Sequence, residues 1–206
     1  MIDSIFLNGT VGVGKSTVAE ALCTLEAKSA HHHAVIDLDH IRCAWPPPKD
    51  DRFNHELEIA NLRDLVVNYR RAGVEHFILA GVIEEASEIP RYEAALQSSG
   101  LLIVRLEADA ATLAKRLRLR HADNPSEVEW HLGRAGELAA ILRAASVDHL
   151  VVDNSARSIT ATATGVCCTV RCQGIRGADP SGTTRHVTTK WAAQQQVGWH
   201  GTGIGR

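Results

Sequence analysis

Short apolar runs alternate with longer amphipathic segments over the first 164 residues of the chain. The apolar runs predict five strands, at residues 2–7, 34–38, 74–82, 101–106 and 149–152. Apolar residues three or four positions apart predict helices at 16–27, 55–71, 90–97 and 126–145, with further helices after Asp109 and from Ser158. Strands that alternate with helices predict an α/β fold, in which a largely parallel sheet is covered by helices on both faces.

Residues 165–206 break this pattern. They contain no Leu and no Phe, but 8 of the 16 glycines, and five basic residues against one acidic residue. Their net charge is therefore +4, which leaves −6 for residues 1–164. Because scattered apolar residues bury too little surface to offset the entropy of ordering, we predict a folded domain over residues 1–164 and a disordered, Gly-rich basic tail over residues 165–206.

The first strand leads into residues 9–16, which have the pattern G-x-x-x-x-G-K-S and precede a helix. This context predicts a phosphate-binding loop, or P-loop, because its N–H groups and the positive end of the helix converge on an anion. We expect Lys15 to reach the β- and γ-phosphates of ATP and the Ser16 hydroxyl to ligate Mg²⁺. The expected nucleotide-binding residues are Gly9, Thr10, Val11, Gly12, Val13, Gly14, Lys15, Ser16 and Thr17.

Two carboxylates and an arginine follow the second strand, at Asp37, Asp39 and Arg42. Ligands gather at the carboxyl ends of parallel strands, and residues two apart in an extended strand share a face. We therefore predict that Asp39 orients and deprotonates an acceptor hydroxyl, and that Asp37 binds the acceptor and holds Mg²⁺, directly or through water. Arg42 is predicted to bind the acceptor. The alternative is that Asp39 only caps the next helix.

A basic segment before Pro125 is a candidate lid over the nucleotide. Arg116 and Arg120 are four residues apart and share a helix face, and Asn124 with Pro125 ends that helix. We predict that both arginines stabilise charge on the transferred phosphoryl group, with Arg134 as a further candidate on the next helix. The alternative is a solvated basic surface.

Residues 7–17 and 37–42 together resemble the small P-loop kinases, a group that includes shikimate, gluconate, adenylylsulfate and nucleoside-monophosphate kinases. The resemblance covers about residues 1–164. It implies a three-layer P-loop NTPase-type sandwich with a five-stranded parallel sheet in the order 2-3-1-4-5, and a mobile lid. It also implies that the D-x-D pair corresponds to Asp37 and Asp39, and that Gly81 brings backbone close to the acceptor. The loop containing Asp153 and Arg157 would lie at the adenine ring, although its residues are equally suited to capping the final helix.

These features predict an ATP-dependent phosphotransferase that moves the γ-phosphoryl group of Mg·ATP to a small-molecule acceptor. A hydroxyl acceptor is slightly favoured because Asp39 supplies a base that a phosphate acceptor does not need. The alternatives are a nucleoside-monophosphate kinase and a non-catalytic ATP-binding regulatory protein.

Composition excludes several other classes. A net charge of −2 argues against a nucleic-acid-binding protein, and no run approaches 18 apolar residues. Five unevenly spaced cysteines and the lack of a signal-peptide pattern indicate the cytoplasm. The run of histidines at 31–33 is expected to be a surface turn rather than a metal site, because no carboxylate or cysteine stands at ligand spacing nearby.

Overall fold

The computed structural model describes residues 2–29, 31–175 and 185–186 of the chain. The strands are β1 (Ser4–Gly9), β2 (His33–Asp37), β3 (His76–Ala80), β4 (Leu101–Glu107), β5 (Leu150–Asp153) and β6 (Arg185–His186). The helices are α1 (Lys15–Lys28), α2 (Leu38–Ile41), α3 (His55–Arg71), α4 (Ile89–Leu96), α5 (Ala110–Arg120), α6 (Pro125–Ala145) and α7 (Ile159–Ile175), with a short 3₁₀ helix at Ala86–Glu88.

The strands form one parallel sheet in the order β2-β3-β1-β4-β5-β6. The predicted order of the first five strands, 2-3-1-4-5, is confirmed. The two-residue strand β6 adds a sixth member at the edge beside β5 and was not predicted. Every residue of the central strand β1 is buried. A strand that is covered by helices on both faces favours apolar residues at most positions, and this accounts for the apolar run that predicted β1 at residues 2–7.

The sheet separates two apolar cores. On one face, α1 and α7 pack together and bury Leu7, Val18 and Leu22. On the other face, α3 and α4 pack together over β1, and Tyr92 of α4 meets Phe6 edge to face with ring centroids 5.0 Å apart. Both cores run along the length of the strands, so they fix the strand ends from which the loops leave.

The predicted domain boundary after residue 164 falls inside helix α7. The helix continues to Ile175, and Val166 and Cys167 are buried in the core beside α1. The boundary was placed too early because the Thr- and Ala-rich start of this helix shows little apolar periodicity, and its buried residues fall after the compositional break. Most of the predicted disordered tail lies outside the described residues. Within the described part of the chain, no helix is long and apolar enough to cross a bilayer.

Candidate active site

A cavity of about 1030 Å³ opens at the carboxyl ends of the strands, between the P-loop, α2, α5 and α6. Six of the nine predicted nucleotide-binding residues line it: Val11, Gly12, Gly14, Lys15, Ser16 and Thr17. Gly9, Thr10 and Val13 lie beneath the loop and are buried. Helix α1 begins directly after Gly14, whose φ of 100° is one that residues with a side chain rarely adopt. The local fold is therefore the strand–loop–helix arrangement that binds phosphate.

Lys15 lies at the centre of the P-loop. Its Nζ donates hydrogen bonds to the carbonyl oxygens of Gly9 at 2.9 Å and Thr10 at 3.1 Å. Burial lowers the pKa of Lys15 to about 8, although Asp39 and Asp37 act in the opposite direction. The cationic form thus lacks full compensation for its lost hydration. A phosphate group in the loop would supply the missing negative charge, so this environment favours the binding of an anion.

Ser16 and Asp37, the predicted magnesium ligands, are in contact. The Ser16 hydroxyl donates to Asp37 Oδ2 at 2.6 Å, and both residues line the cavity. A hydroxyl and a carboxylate are oxygen ligands of the kind that Mg²⁺ prefers beside nucleotide phosphates. The donor set therefore fits this ion, which would neutralise phosphate charge when bound.

Asp37 and Asp39 reach the cavity in a different way from the one predicted. Strand β2 ends at Asp37, whose Oδ1 accepts a hydrogen bond from the Asp39 N–H at 3.1 Å and caps helix α2. The prediction that the two carboxylates share a face of an extended strand is therefore wrong, and it is Asp37, not Asp39, that caps the helix. Both side chains nevertheless line the cavity, because the first turn of α2 carries Asp39 round to the same side.

Arg42 is held beside Asp39 by two acidic residues. It forms an ion pair with Asp39, and its Nη1 lies 3.0 Å from Glu58 Oε2. Glu58 is buried on α3 and accepts a hydrogen bond from the Tyr92 hydroxyl at 2.5 Å. Burial raises the pKa of Glu58, although the hydrogen bond from Tyr92 and the charge of Arg42 act to lower it. Burial alone would lower the pKa of Arg42, but the charges of Asp39 and Glu58 outweigh it and raise the pKa.

Glu58 was missed by sequence reasoning. It lies among other acidic residues near the start of α3, where a negative charge is ordinary because it stabilises the helix dipole. A weak signal was present: Glu58 falls four residues before Leu62, on the apolar side of the helix. Only the fold shows that this position is covered by Tyr92 and faces Arg42.

The two predicted lid arginines both line the cavity but make different contacts. Arg116 donates from Nη1 to the Val13 carbonyl at 2.9 Å and from Nη2 to the Asn154 carbonyl at 2.8 Å. It therefore ties α5 to the underside of the P-loop. Arg120 is exposed at the cavity edge, one turn further along α5. Helix α5 ends at Arg120, four residues before the end predicted at Asn124 and Pro125, and α6 begins at Pro125.

Helix α6 and the segment before α3 complete the cavity wall with residues that the sequence did not single out as a group. Arg134 Nη2 lies 2.7 Å from Glu84 Oε1, and the guanidinium stands 5.2 Å from the centre of the Phe53 ring. Trp130 is half exposed beside them. These aromatic faces and the ion pair form a second part of the cavity, away from the P-loop. From the sequence, Arg134 was only a further candidate for stabilising the transferred phosphoryl group, whereas the structure places it in the cavity wall.

The predicted adenine loop is arranged differently from expectation. The Asp153 carboxylate accepts hydrogen bonds from the N–H and hydroxyl of Ser155, at 2.8 and 2.6 Å, and neither Asp153 nor Arg157 lines the cavity. The residue that touches the nucleotide loop is Asn154, which is fully buried and donates to the Val13 carbonyl at 2.8 Å. This loop therefore supports the P-loop from below.

Gly81 does not line the cavity, contrary to the prediction that it brings backbone close to the acceptor. A Cβ at this position would lie 2.4 Å from Leu38 Cδ1 and 3.0 Å from Phe6 Cζ, and both side chains are fully buried. Gly81 is thus required where α2 packs on the sheet, and its role is to let Leu38 anchor the helix that carries Asp39.

We expect Gly81→Ala to destabilise the fold by about 1–3 kcal/mol, because overpacking a tight core forces neighbouring side chains from their positions. The measurement is urea denaturation followed by circular dichroism. Gly133→Ala is the matched control: its added methyl meets nothing within 4 Å on helix α6, and alanine is the better helix former. Equal stability of Gly81→Ala and the unmodified chain would contradict the packing role.

With this geometry in view, comparison with known proteins gives the family. The model of the AAA domain family matches residues 5–130, which include the P-loop, the α2 segment and both lid arginines. The chain belongs to the AAA domain family. Among curated proteins, no sequence matches the chain.

This AAA-domain chain also shares its fold with solved structures at low sequence identity. A gluconokinase from Sinorhizobium meliloti 1021 has a TM-score of 0.55 and 20% identity, covering 85% of this chain and 97% of that chain. A shikimate kinase from Acinetobacter baumannii, in complex with shikimate, has a TM-score of 0.57 and 18% identity, with coverage of 85% and 97%. A tunicamycin resistance protein from Deinococcus radiodurans has a TM-score of 0.56 and 21% identity, with coverage of 82% and 96%. The resemblance to small P-loop kinases is confirmed at the level of the fold.

Proposed function

We propose that the protein transfers the γ-phosphoryl group of Mg·ATP to a hydroxyl group of a small-molecule acceptor. The observation that carries this proposal is the position of Asp39, which lines the same cavity as the P-loop and is ion-paired to an arginine anchored on buried Glu58. A protein that used ATP only as a switch would have no need for a fixed carboxylate and arginine beside the phosphate site. Two of the similar folds are named as kinases, which agrees with this reaction.

In the proposed reaction the triphosphate lies in the P-loop with Lys15 against its β- and γ-phosphates. Asp39 accepts the proton of the acceptor hydroxyl as the acceptor oxygen forms a bond to the γ-phosphorus. The bond from the γ-phosphorus to the β–γ bridging oxygen breaks, and ADP leaves. Ser16 and Asp37 would hold Mg²⁺, and Arg120 would stabilise charge on the transferred group.

The acceptor side of the cavity favours a hydroxyl compound over a nucleoside monophosphate. Its arginines are already paired, Arg42 with Asp39 and Glu58, and Arg134 with Glu84. A phosphate acceptor would have to compete with these carboxylates. Half-exposed Trp130, with partly exposed Phe53 beneath Arg134, instead gives this part of the cavity an aromatic lining that suits apolar contact with a ring.

We propose that the protein acts in the cytoplasm and that its partner is a small-molecule substrate. Cys23, Cys43, Cys167 and Cys168 are free thiols, which agrees with a reducing compartment.

The test is ADP release from Mg·ATP, measured with and without panels of acceptors: sugar acids, nucleosides and hydroxylated antibiotics in one panel, and nucleoside monophosphates in the other. We expect strong stimulation by a member of the hydroxyl panel. Stimulation by monophosphates alone would replace the hydroxyl acceptor with a phosphate. ATP binding without stimulation by either panel would favour the regulatory alternative.

A further inference from the structure

A second group of chemically active side chains lies at the opposite end of the sheet from the cavity. It comprises Glu26 near the end of α1, His31 in the loop that follows, and His76 at the start of β3. One ligand atom from each residue lies within 4.8 Å of the other two. Residue 26 is eleven positions after Lys15 on α1, which places the group about 17 Å along the helix from the P-loop. This group has no part in the proposed reaction.

His31 already contacts both of the other residues. His31 Nδ1 lies 2.5 Å from Glu26 Oε2, and the His31 and His76 rings have centroids 5.0 Å apart at an angle of 47°. Glu26 Oε1 is also 3.6 Å from the Cys167 Sγ, so the thiol of α7 helps to hold the carboxylate.

The fold explains why these residues meet. Residues 33 and 76 are partners in the parallel pairing of β2 and β3, so their side chains leave the sheet on the same face, the one covered by α1. The loop between α1 and β2 brings His31 back over that face. The expectation that the histidine run has no ligand partner nearby is therefore wrong, because Glu26 and His76 come from elements that the sequence spacing alone does not bring together.

We propose that Glu26, His31 and His76 form a binding site for a divalent transition-metal ion of the Zn²⁺ type. Two imidazoles and one carboxylate are a donor set that suits this class of ion. Bound metal would replace the direct His31–Glu26 contact and would join the end of α1, the α1–β2 loop and the start of β3. Because only the folded chain assembles the three ligands, metal binding stabilises the fold.

The test uses the untagged, full-length protein, freed of metal with a chelator. Titration with ZnCl₂ is followed by calorimetry, and thermal unfolding is recorded with and without the metal. We expect a high-affinity event of one ion per chain and a rise in Tm. His76→Asn and Glu26→Gln should each weaken this event by at least about tenfold, since loss of even an outer partner of a metal ligand has that effect.

Two matched variants separate this site from its neighbours. His32→Ala removes an exposed histidine of the same run that lies outside the group, and it should bind Zn²⁺ as the unmodified chain does. Cys23→Ser removes the thiol that contacts His33 Nε2 at 3.2 Å, and it too should leave binding unchanged. Absence of binding overturns the proposal. So does undiminished binding by folded His76→Asn, or a loss confined to His32→Ala or Cys23→Ser. None of these readouts depends on kinase activity.

Discussion

Lys15→Ala should reduce phosphoryl transfer by about 100- to 1000-fold, the effect of removing one pre-positioned donor from a site where charge develops. Lys15 is held inside the P-loop by two carbonyl oxygens, and its lowered pKa of about 8 shows that its charge is poorly compensated before an anion binds. A bound phosphate group would supply the negative charge that the buried ammonium group lacks. The measurement is acceptor-dependent ADP release under saturating Mg·ATP, once an acceptor has been found.

The control for this prediction is Lys115→Ala, which removes the same charge from an exposed position on α5 that does not line the cavity. Its turnover should stay within about twofold of the unmodified chain, since exposed lysines away from special contacts contribute little. Circular dichroism and thermal unfolding of Lys15→Ala check that the loop still folds without its central hydrogen bonds. Normal turnover by a folded Lys15→Ala protein would exclude phosphoryl transfer at the P-loop.

The parts of the fold that depend on local pattern could be predicted from the sequence. Apolar runs buried on both sides located the five main strands, and Asn124 with Pro125 marked the boundary between α5 and α6. Asn124 caps α6 through its side chain, which accepts from the Glu127 N–H at 3.3 Å. These signals are strong because each arises from residues close together in the chain.

The residue roles that were missed or wrongly predicted depend on contacts between segments that are distant in the sequence. Glu58 gains its role from Tyr92 and Arg42, which lie on other elements, and Asn154 gains its role from the Val13 carbonyl. Gly81 leaves room for the Leu38 side chain, which is distant in the sequence but would lie 2.4 Å from a Cβ at this position. Periodicity shows which face of an element is buried but not which residue covers it, so such roles cannot be read from spacing.

The P-loop side of the cavity leaves a clearer pattern in the sequence than the proposed acceptor side, for a physical reason. Phosphate is bound largely by backbone N–H groups, and the glycines that permit this conformation leave a fixed pattern in the sequence. The proposed acceptor side is built from side chains of α3, α6 and the end of α2, including Arg42, Glu58, Trp130 and Arg134. No single spacing records that arrangement.

Asp39→Asn should lower turnover by about 100- to 10,000-fold when the acceptor is a hydroxyl compound, because the amide cannot take up the hydroxyl proton. The substitution keeps the shape of the side chain and an oxygen that can accept from Arg42, so the anchored arginine should stay in place. The KM for ATP should change little, since Ser16 and Asp37 are not altered. Steady-state kinetics with ATP and the acceptor varied separately give both quantities.

Asp64→Asn is the matched control, because this exposed carboxylate on α3 contacts Arg63 and lies outside the cavity. It should leave both turnover and KM unchanged. A loss in Asp39→Asn that appears mainly in the KM for the acceptor, with turnover preserved, would show that Asp39 positions the acceptor without acting as a base. That outcome would favour a phosphate acceptor, whose attacking oxygen is already ionised. The Asp39 carboxylate therefore decides between the two acceptor classes, because only one of them requires a proton to be removed.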